Sequence, residues 1–252
     1  MSNSTLFTAP RTMFADFSKG LSPYFTPVEG GGISTSDSVW CKQNVSFTNN
    51  KLSLVIRDIN SNPPECTYSG AEYVSKDVYR HGYYETSMRA IKQSGIVSTF
   101  FLYDRETEDE IDIEIPGSNT QEVLFNAYIR KDGRYTSLMR DDKGGGIYVP
   151  LGFDASQGFH KYGFDWQPDS ITWYVDGIRR AVLTRGADSQ KSLTIQNGVY
   201  FVKTTHRFPD NPARIIMNAW VGKKGQWGSY SNPLPMPLSA DYQWVKYAPA
   251  NG

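Results

Sequence analysis

Cysteine, histidine, net charge and long apolar runs are all scarce in this chain of 252 residues. It has two cysteines and three histidines, and 26 basic residues balance 26 acidic ones. A zero formal charge leaves neither the electropositive footprint of a nucleic-acid binder nor a polybasic patch for a lipid surface. No apolar stretch approaches the roughly 20 residues a membrane-spanning helix needs, so no membrane insertion is expected. The first residues, Met1-Ser2-Asn3-Ser4-Thr5-Leu6-Phe7, lack a basic then apolar secretory pattern. With two cysteines the disulfide inventory is one bond or none, and spacing alone leaves both readings open. Long helical periodicity is missing as well. Short apolar–polar alternations are instead broken by turn signals such as Asn49-Asn50, Lys131-Asp132-Gly133, Gly144-Gly145-Gly146, Asp176-Gly177 and Asn197-Gly198. That punctuation predicts antiparallel strands throughout, including a hairpin of Thr172–Val175 and Arg179–Val182 across Asp176-Gly177-Ile178. The pattern shows no repeat or linker, and no second domain is expected within these residues. Residues 1–20 read as a loosely held arm that begins with an edge strand, and 21–252 as one domain.

What the chain does contain is aromatic side chains, 14% of all residues, and one unusual octapeptide, Glu108-Asp109-Glu110-Ile111-Asp112-Ile113-Glu114-Ile115. On an extended strand successive side chains alternate between faces. Ile111, Ile113 and Ile115 therefore share a dry face, and Glu110, Asp112 and Glu114 share the other, with Glu108 extending the row. Like charges at that spacing repel, and β-structure disfavours Asp and Glu. A strand that tolerates this cost is using the charges. A sheet edge guarded by acids is one alternative, but the apolar flanks Ile96–Tyr103 and Val123–Tyr128 read as neighbouring central strands. A calcium cage is another, and it wants an irregular Gly- and Asn-rich loop that this strand lacks. No metal ligand is assigned.

Two carboxyl groups with a third between them suit glycosidic bond cleavage: one attacks the anomeric carbon and one, protonated, serves the leaving oxygen. The Cα atoms of Glu110 and Glu114 lie roughly 13 Å apart on a strand rising about 3.3 Å per residue. On a concave sheet two leaning Glu side chains can approach the separation of about 5–5.5 Å that a retaining mechanism uses. Asp112 is shorter. It is placed to hydrogen-bond the nucleophile and to keep a proton on its neighbour.

Asp109-Glu110-Ile111-Asp112-Ile113-Glu114 resembles the Glu-x-Asp-x-Glu signature of glycoside hydrolase family 16, with the unbulged spacing of the bacterial lichenases. The resemblance runs from about Val39 to Tyr247 and includes Tyr83–Met88, Gly95–Phe101, Leu151–Ser156, Phe159–Pro168, Trp173–Gly177, Ile216–Trp220 and Trp244–Tyr247. It implies an all-β jelly-roll sandwich of two curved antiparallel sheets with a concave substrate cleft. It also implies a retaining endo-β-glucanase, with Glu110 as nucleophile, Asp112 as helper and Glu114 as acid/base. The substrate expected is a mixed-linkage β-1,3-1,4-glucan or a related β-glucan. Carried over by position, the substrate-binding residues are Glu72, Phe101, Tyr103, Glu108, Asn126, Tyr128, Asn218, Trp220 and Trp227. His160 matches the family but reads as structural. A Cys41–Cys66 disulfide is implied too, and with it a secreted or periplasmic protein. The partner expected is a polysaccharide alone, bound by a monomer.

Three positions depart from the lichenase pattern. Glu108 stands where a Trp is expected, Val74 where an Arg is expected, and Gln243 where the family has a calcium-ligating Asp. No cofactor is expected for catalysis, and Gln243 puts a structural calcium in doubt. The stretches Arg130–Val149 and Lys203–Arg214 are longer than a lichenase needs. These departures keep other readings open: depolymerisation of a substituted, succinoglycan-like bacterial exopolysaccharide, with Arg130, Lys131, Arg134 and Arg140 meeting acidic groups; transglycosylation; or, without catalysis, a lectin-like carbohydrate-binding module.

Overall fold

Period-two alternation buries one face of a strand and leaves the other free, and two such sheets stack by sharing their apolar faces. A computed structural model describes residues 11–59, 68–139, 145–186, 192–223, 225–228 and 234–250. Within them the strands run β1 Met13–Asp16, β2 Phe25–Pro27, β3 Ser38–Trp40, β4 Val45–Thr48, β5 Lys51–Asp58, β6 Tyr68–Ser75, β7 Gly82–Arg89, β8 Ile96–Tyr103, β9 Glu110–Pro116 and β10 Glu122–Lys131. They continue as β11 Arg134–Ser137, β12 Ile147–Pro150, β13 His160–Gln167, β14 Ser170–Val175, β15 Ile178–Arg185, β16 Ser192–Gln196, β17 Val199–Thr204, β18 Arg214–Val221 and β19 Leu238–Pro249. No α-helix occurs among the described residues.

The pairings resolve into two layers. One runs β2–β6–β18–β8–β9–β10, with β11 and β12 both on the far side of β10. The other runs β4–β5–β19–β7–β13–β14–β15–β17–β16, with β1 on β19. A short β5–β6 pairing, Arg57↔Ser69 and Asp58↔Tyr68, joins the layers at one corner. Ile111, Ile113, Ile115, Phe100, Phe125, Phe164, Trp173 and Tyr242 belong to the one large core cluster between them. Trp173 reaches across it, its Nε1 donating to the carbonyl of Asp112 at 3.0 Å.

The turns form where the chemistry allows. Asn49-Asn50, Asp132-Gly133, Asp176-Gly177 and Asn197-Gly198 all have both central φ values positive, the type I′ geometry that matches strand twist and favours Asn, Asp and Gly. The Asp176-Gly177 turn is one residue tighter than expected: Ile178 pairs with Val175. The first strand is bound into the protein, with Met13, Ala15 and Phe17 in the core. Of the glycines at 144–146, Gly144 lies outside the described residues, as do residues 1–10.

Cys41 carries a free thiol, which donates to Gln43 Oε1 at 2.9 Å. The expected Cys41–Cys66 bond is therefore not formed at the Cys41 end, where a side-chain amide takes up the thiol proton instead; Cys66 lies outside the described residues.

Candidate active site

Directly opposed residues in antiparallel strands share a face, so the ladder register maps the cleft. Glu110 lies between Tyr103 of β8 and Tyr128 of β10; Asp112 lies between Phe101 and Asn126; Glu114 lies between Thr99 and Leu124. The Glu114 row continues through Asn218 of β18 to Glu72 of β6, and the Asp112 row through Ile216 to Val74. Expected residues from four strands thus fall on one sheet face around the three carboxylates, while Ile111, Ile113 and Ile115 are in the core.

The electrostatics of the trio are unusual. Burial pushes the Glu110 carboxyl up to about 7, although a hydrogen bond with Asp112 pulls the other way. Burial, then the charge of Glu110, pushes Glu114 up to about 8. Asp112 goes well above the ordinary range through burial, the charges of both neighbours and its hydrogen bond to Glu110. Both glutamates are nevertheless half-open to the cleft, whereas Asp112 is buried. Acidic groups buried in one row and hydrogen-bonded to each other favour their protonated forms, and all three shift upward. Tyr128 is pushed up by burial and by the same three acids.

Around them, amides and rings are fixed by their own partners. Asn218 Oδ1 accepts from Thr99 Oγ1 (2.6 Å), and its Nδ2 donates to Glu72 Oε2 (3.2 Å). Burial raises Glu72, partly offset by Asn218 and the charge of Arg105. Asn126 Oδ1 accepts from Ser137 Oγ at 2.8 Å. Tyr128 stacks on Tyr135 with ring centres 4.3 Å apart. Phe101 and Tyr103 are half-buried on the same face.

Trp220 departs from expectation. It sits opposite Val97, away from Glu110, and is only 3% exposed. Trp227 packs edge-on against it at 5.6 Å, and the pair forms a satellite cluster with Trp40 and Val97. Trp227, half-buried, is the ring of the two that remains partly open. His160 stacks on Phe153 and pairs with Asp176, consistent with a structural role.

Glu108 and its surroundings hold what sequence reasoning missed. The turn entering β9 is tied by Asp104, whose carboxylate accepts from Glu106 N, Thr107 N and Thr107 Oγ1, while Glu108 N donates to Asp104 O and Asp104 N to Asp109 O. Glu108 adopts a left-handed φ of 57° and pairs with Arg130, a residue in phase with Tyr128 and Asn126 on the cleft face of β10. Arg130 is thereby engaged, and Lys131 contacts His206 Nδ1; Arg140 lies outside the described residues. Asp109 is bound by Arg207, at the centre of the stretch read only as an insertion. The position implied for a calcium-ligating Asp holds Gln243, whose Oε1 accepts from Ser87 Oγ at 2.8 Å. Gln243 thus brings no carboxylate charge to a cation at this position.

The family model described as glycosyl hydrolases family 16 matches residues 33–244. A β-glucanase of Paenibacillus macerans is 39% identical over 86% of this chain and 78% of its own length. A xylanase/β-glucanase of Ruminococcus flavefaciens is 37% identical over 94% of this chain, which spans only 27% of that longer protein. Among solved structures, the Bacillus licheniformis β-glucanase superposes with a TM-score of 0.74 at 30% identity, covering 96% of this chain and 99% of that one. A prokaryotic β-1,3-1,4-glucanase (lichenase) from a mouse hindgut metagenome superposes with a TM-score of 0.76 at 29% identity, covering 95% and 99%.

Proposed function

Because this chain belongs to glycosyl hydrolases family 16, we propose that it is a retaining, endo-acting β-glucanase that cleaves mixed-linkage β-1,3-1,4-glucan through Glu110, Asp112 and Glu114. The observation that carries the reading is the ladder register, which sets three carboxyl groups in one row along a cleft face flanked by Tyr103, Tyr128 and Asn126. Relatives named β-glucanase at 35–39% identity support the substrate class.

Glu110, ionised, attacks the anomeric carbon and forms a glycosyl ester. Glu114, protonated, gives its proton to the departing glycosidic oxygen. Asp112 keeps its own proton and donates a hydrogen bond to Glu110, which steadies the nucleophile and lowers its basicity relative to Glu114. Glu114, now a base, takes a proton from water; the water oxygen attacks the anomeric carbon and Glu110 leaves. Two inversions give net retention. All three groups come from one strand of one chain, so a monomer suffices. A polymeric substrate places the work outside the cytoplasm, in the secreted or periplasmic space.

The test is Glu110→Ala on an activated β-glucoside with added azide. Rescue giving a glycosyl azide of inverted configuration is expected. A dead variant that azide does not rescue would overturn the nucleophile assignment.

A further inference from the structure

Residues 206–213 form a strap that leaves β17 on one sheet and returns to β18 on the other. Its middle is held from the β7 and β13 side. Trp166 Nε1 donates to Pro209 O (3.1 Å), Arg80 donates to both the carbonyl and the carboxylate of Asp210 (2.7 Å each), and Tyr79 and Ala213 exchange both backbone hydrogen bonds at 2.8 Å. From this anchored strap Arg207 projects onto the start of the catalytic strand. Its Nη1 donates to Asp109 Oδ2 (2.7 Å) and its Nη2 to Asp109 Oδ1 (2.6 Å), while Asp210 N adds a third bond to Oδ2 at 3.3 Å. Arg207 also reaches the carbonyl of Phe208.

Asp109 is 2% exposed, and a carboxylate so buried is heavily disfavoured unless paired. The two-pronged fork is the geometry that fixes orientation as well as charge. Asp109 immediately precedes Glu110, and neighbours on a strand point to opposite faces. Locking the Asp109 carboxylate from behind, with its carbonyl held by Asp104 N at 2.9 Å, fixes the peptide from which the Glu110 side chain departs into the cleft.

We propose that Arg207 is a positioning residue for Glu110. Through Asp109 it clamps the start of β9 and sets the direction of the attacking carboxylate, and the strap exists to carry that clamp. The proposal rests on the reading of Glu110 as nucleophile. A pair that served stability alone would change melting temperature without touching turnover.

The experiment measures kcat and KM on lichenan for the full chain and for Arg207→Ala, Arg207→Lys and Glu110→Ala, with melting temperatures alongside. For Arg207→Ala, kcat should fall by roughly tenfold to a hundredfold, the size expected of a small misplacement of a reacting group, with KM changed by less than about twofold. Guanidinium ion at millimolar, non-denaturing concentration should restore part of the loss, and methylammonium should not. Arg207→Lys, which keeps the charge without the fork, should be intermediate. Should Arg207→Ala fail to fold, Arg207→Lys decides: reduced kcat at unchanged KM supports the clamp, and wild-type kcat overturns it. Wild-type kcat in a folded Arg207→Ala also overturns it. Turnover persisting in Glu110→Ala would instead sink the reading on which the clamp rests.

Discussion

Asp112 and Asn126 face each other across the β9–β10 ladder, the acid hydrogen-bonded to Glu110 and the amide burying its Nδ2 with no hydrogen-bond acceptor. An unmet buried donor or acceptor costs about 1–3 kcal/mol. An amide donor so placed on the cleft face suits a hydroxyl-rich ligand, whose oxygens can accept from it.

Asn126→Ala should therefore lower kcat/KM on lichenan by about tenfold, since losing one net hydrogen bond of roughly 1.4 kcal/mol corresponds to that factor. Steady-state kinetics check it. An unchanged kcat/KM would mean that the unmet amide faces no sugar.

The pH profile should be a narrow bell. Turnover needs Glu110 ionised and Glu114 protonated. With Glu110 pushed up to about 7 and Glu114 to about 8, kcat/KM should rise through the first value and fall through the second. These two values belong to the coupled pair. In Glu114→Gln, assayed on a substrate with a good leaving group that needs no proton, the alkaline limb should vanish; its persistence would assign that limb to another group.

The same shifts make the site a source of instability. A carboxyl whose folded pKa is raised binds a proton that the unfolded chain releases above about 4.3. The folded state then holds more protons, so stability falls as pH rises between the unfolded and folded values. Glu114→Gln should melt higher than wild type at pH 7–8, by several degrees at about 2–4 °C per kcal/mol for a chain of this size. The gain should shrink toward pH 4. Equal melting temperatures at all pH values would show that Glu114 is not desolvated.

Glu108 and Arg130 form an ion pair at the Glu110 end of the cleft. Replacing Glu108 by Trp frees Arg130 and offers a stacking ring, worth roughly 1–3 kcal/mol by analogy with base stacking. Lichenan kcat/KM should rise by about tenfold, less whatever the left-handed φ at this position costs a bulky side chain. No change would place residue 108 outside the substrate path.

The carboxylate strand and its two neighbours were legible because alternation is local: Ile at odd positions and acid at even ones specify which face is dry. Turn chemistry was equally local, and the Asn and Asp turns formed where expected. Trp220 has the phase of the cleft face but a loop residue, Trp227, lies against it; alternation reports direction and not cover. Arg207 carried no signal, since its target lies 98 residues away and nothing in the intervening sequence ties the two. Cys41 shows the reverse error, in which a family pattern supplied a bond that this chain does not make at that residue.

The strand β19 lies between β7 on one side and β5 and β1 on the other. Among the described strands it comes last in chain order. Until the ribosome has released it, the edges of β5 and β7 that it will fill face solvent as open rows of backbone donors and acceptors, the surface that nascent chains use to pair with one another. Expression yield should accordingly depend on how quickly 238–249 follows β18 out of the exit tunnel, and holding the nascent chain short of that point should favour aggregates over enzyme.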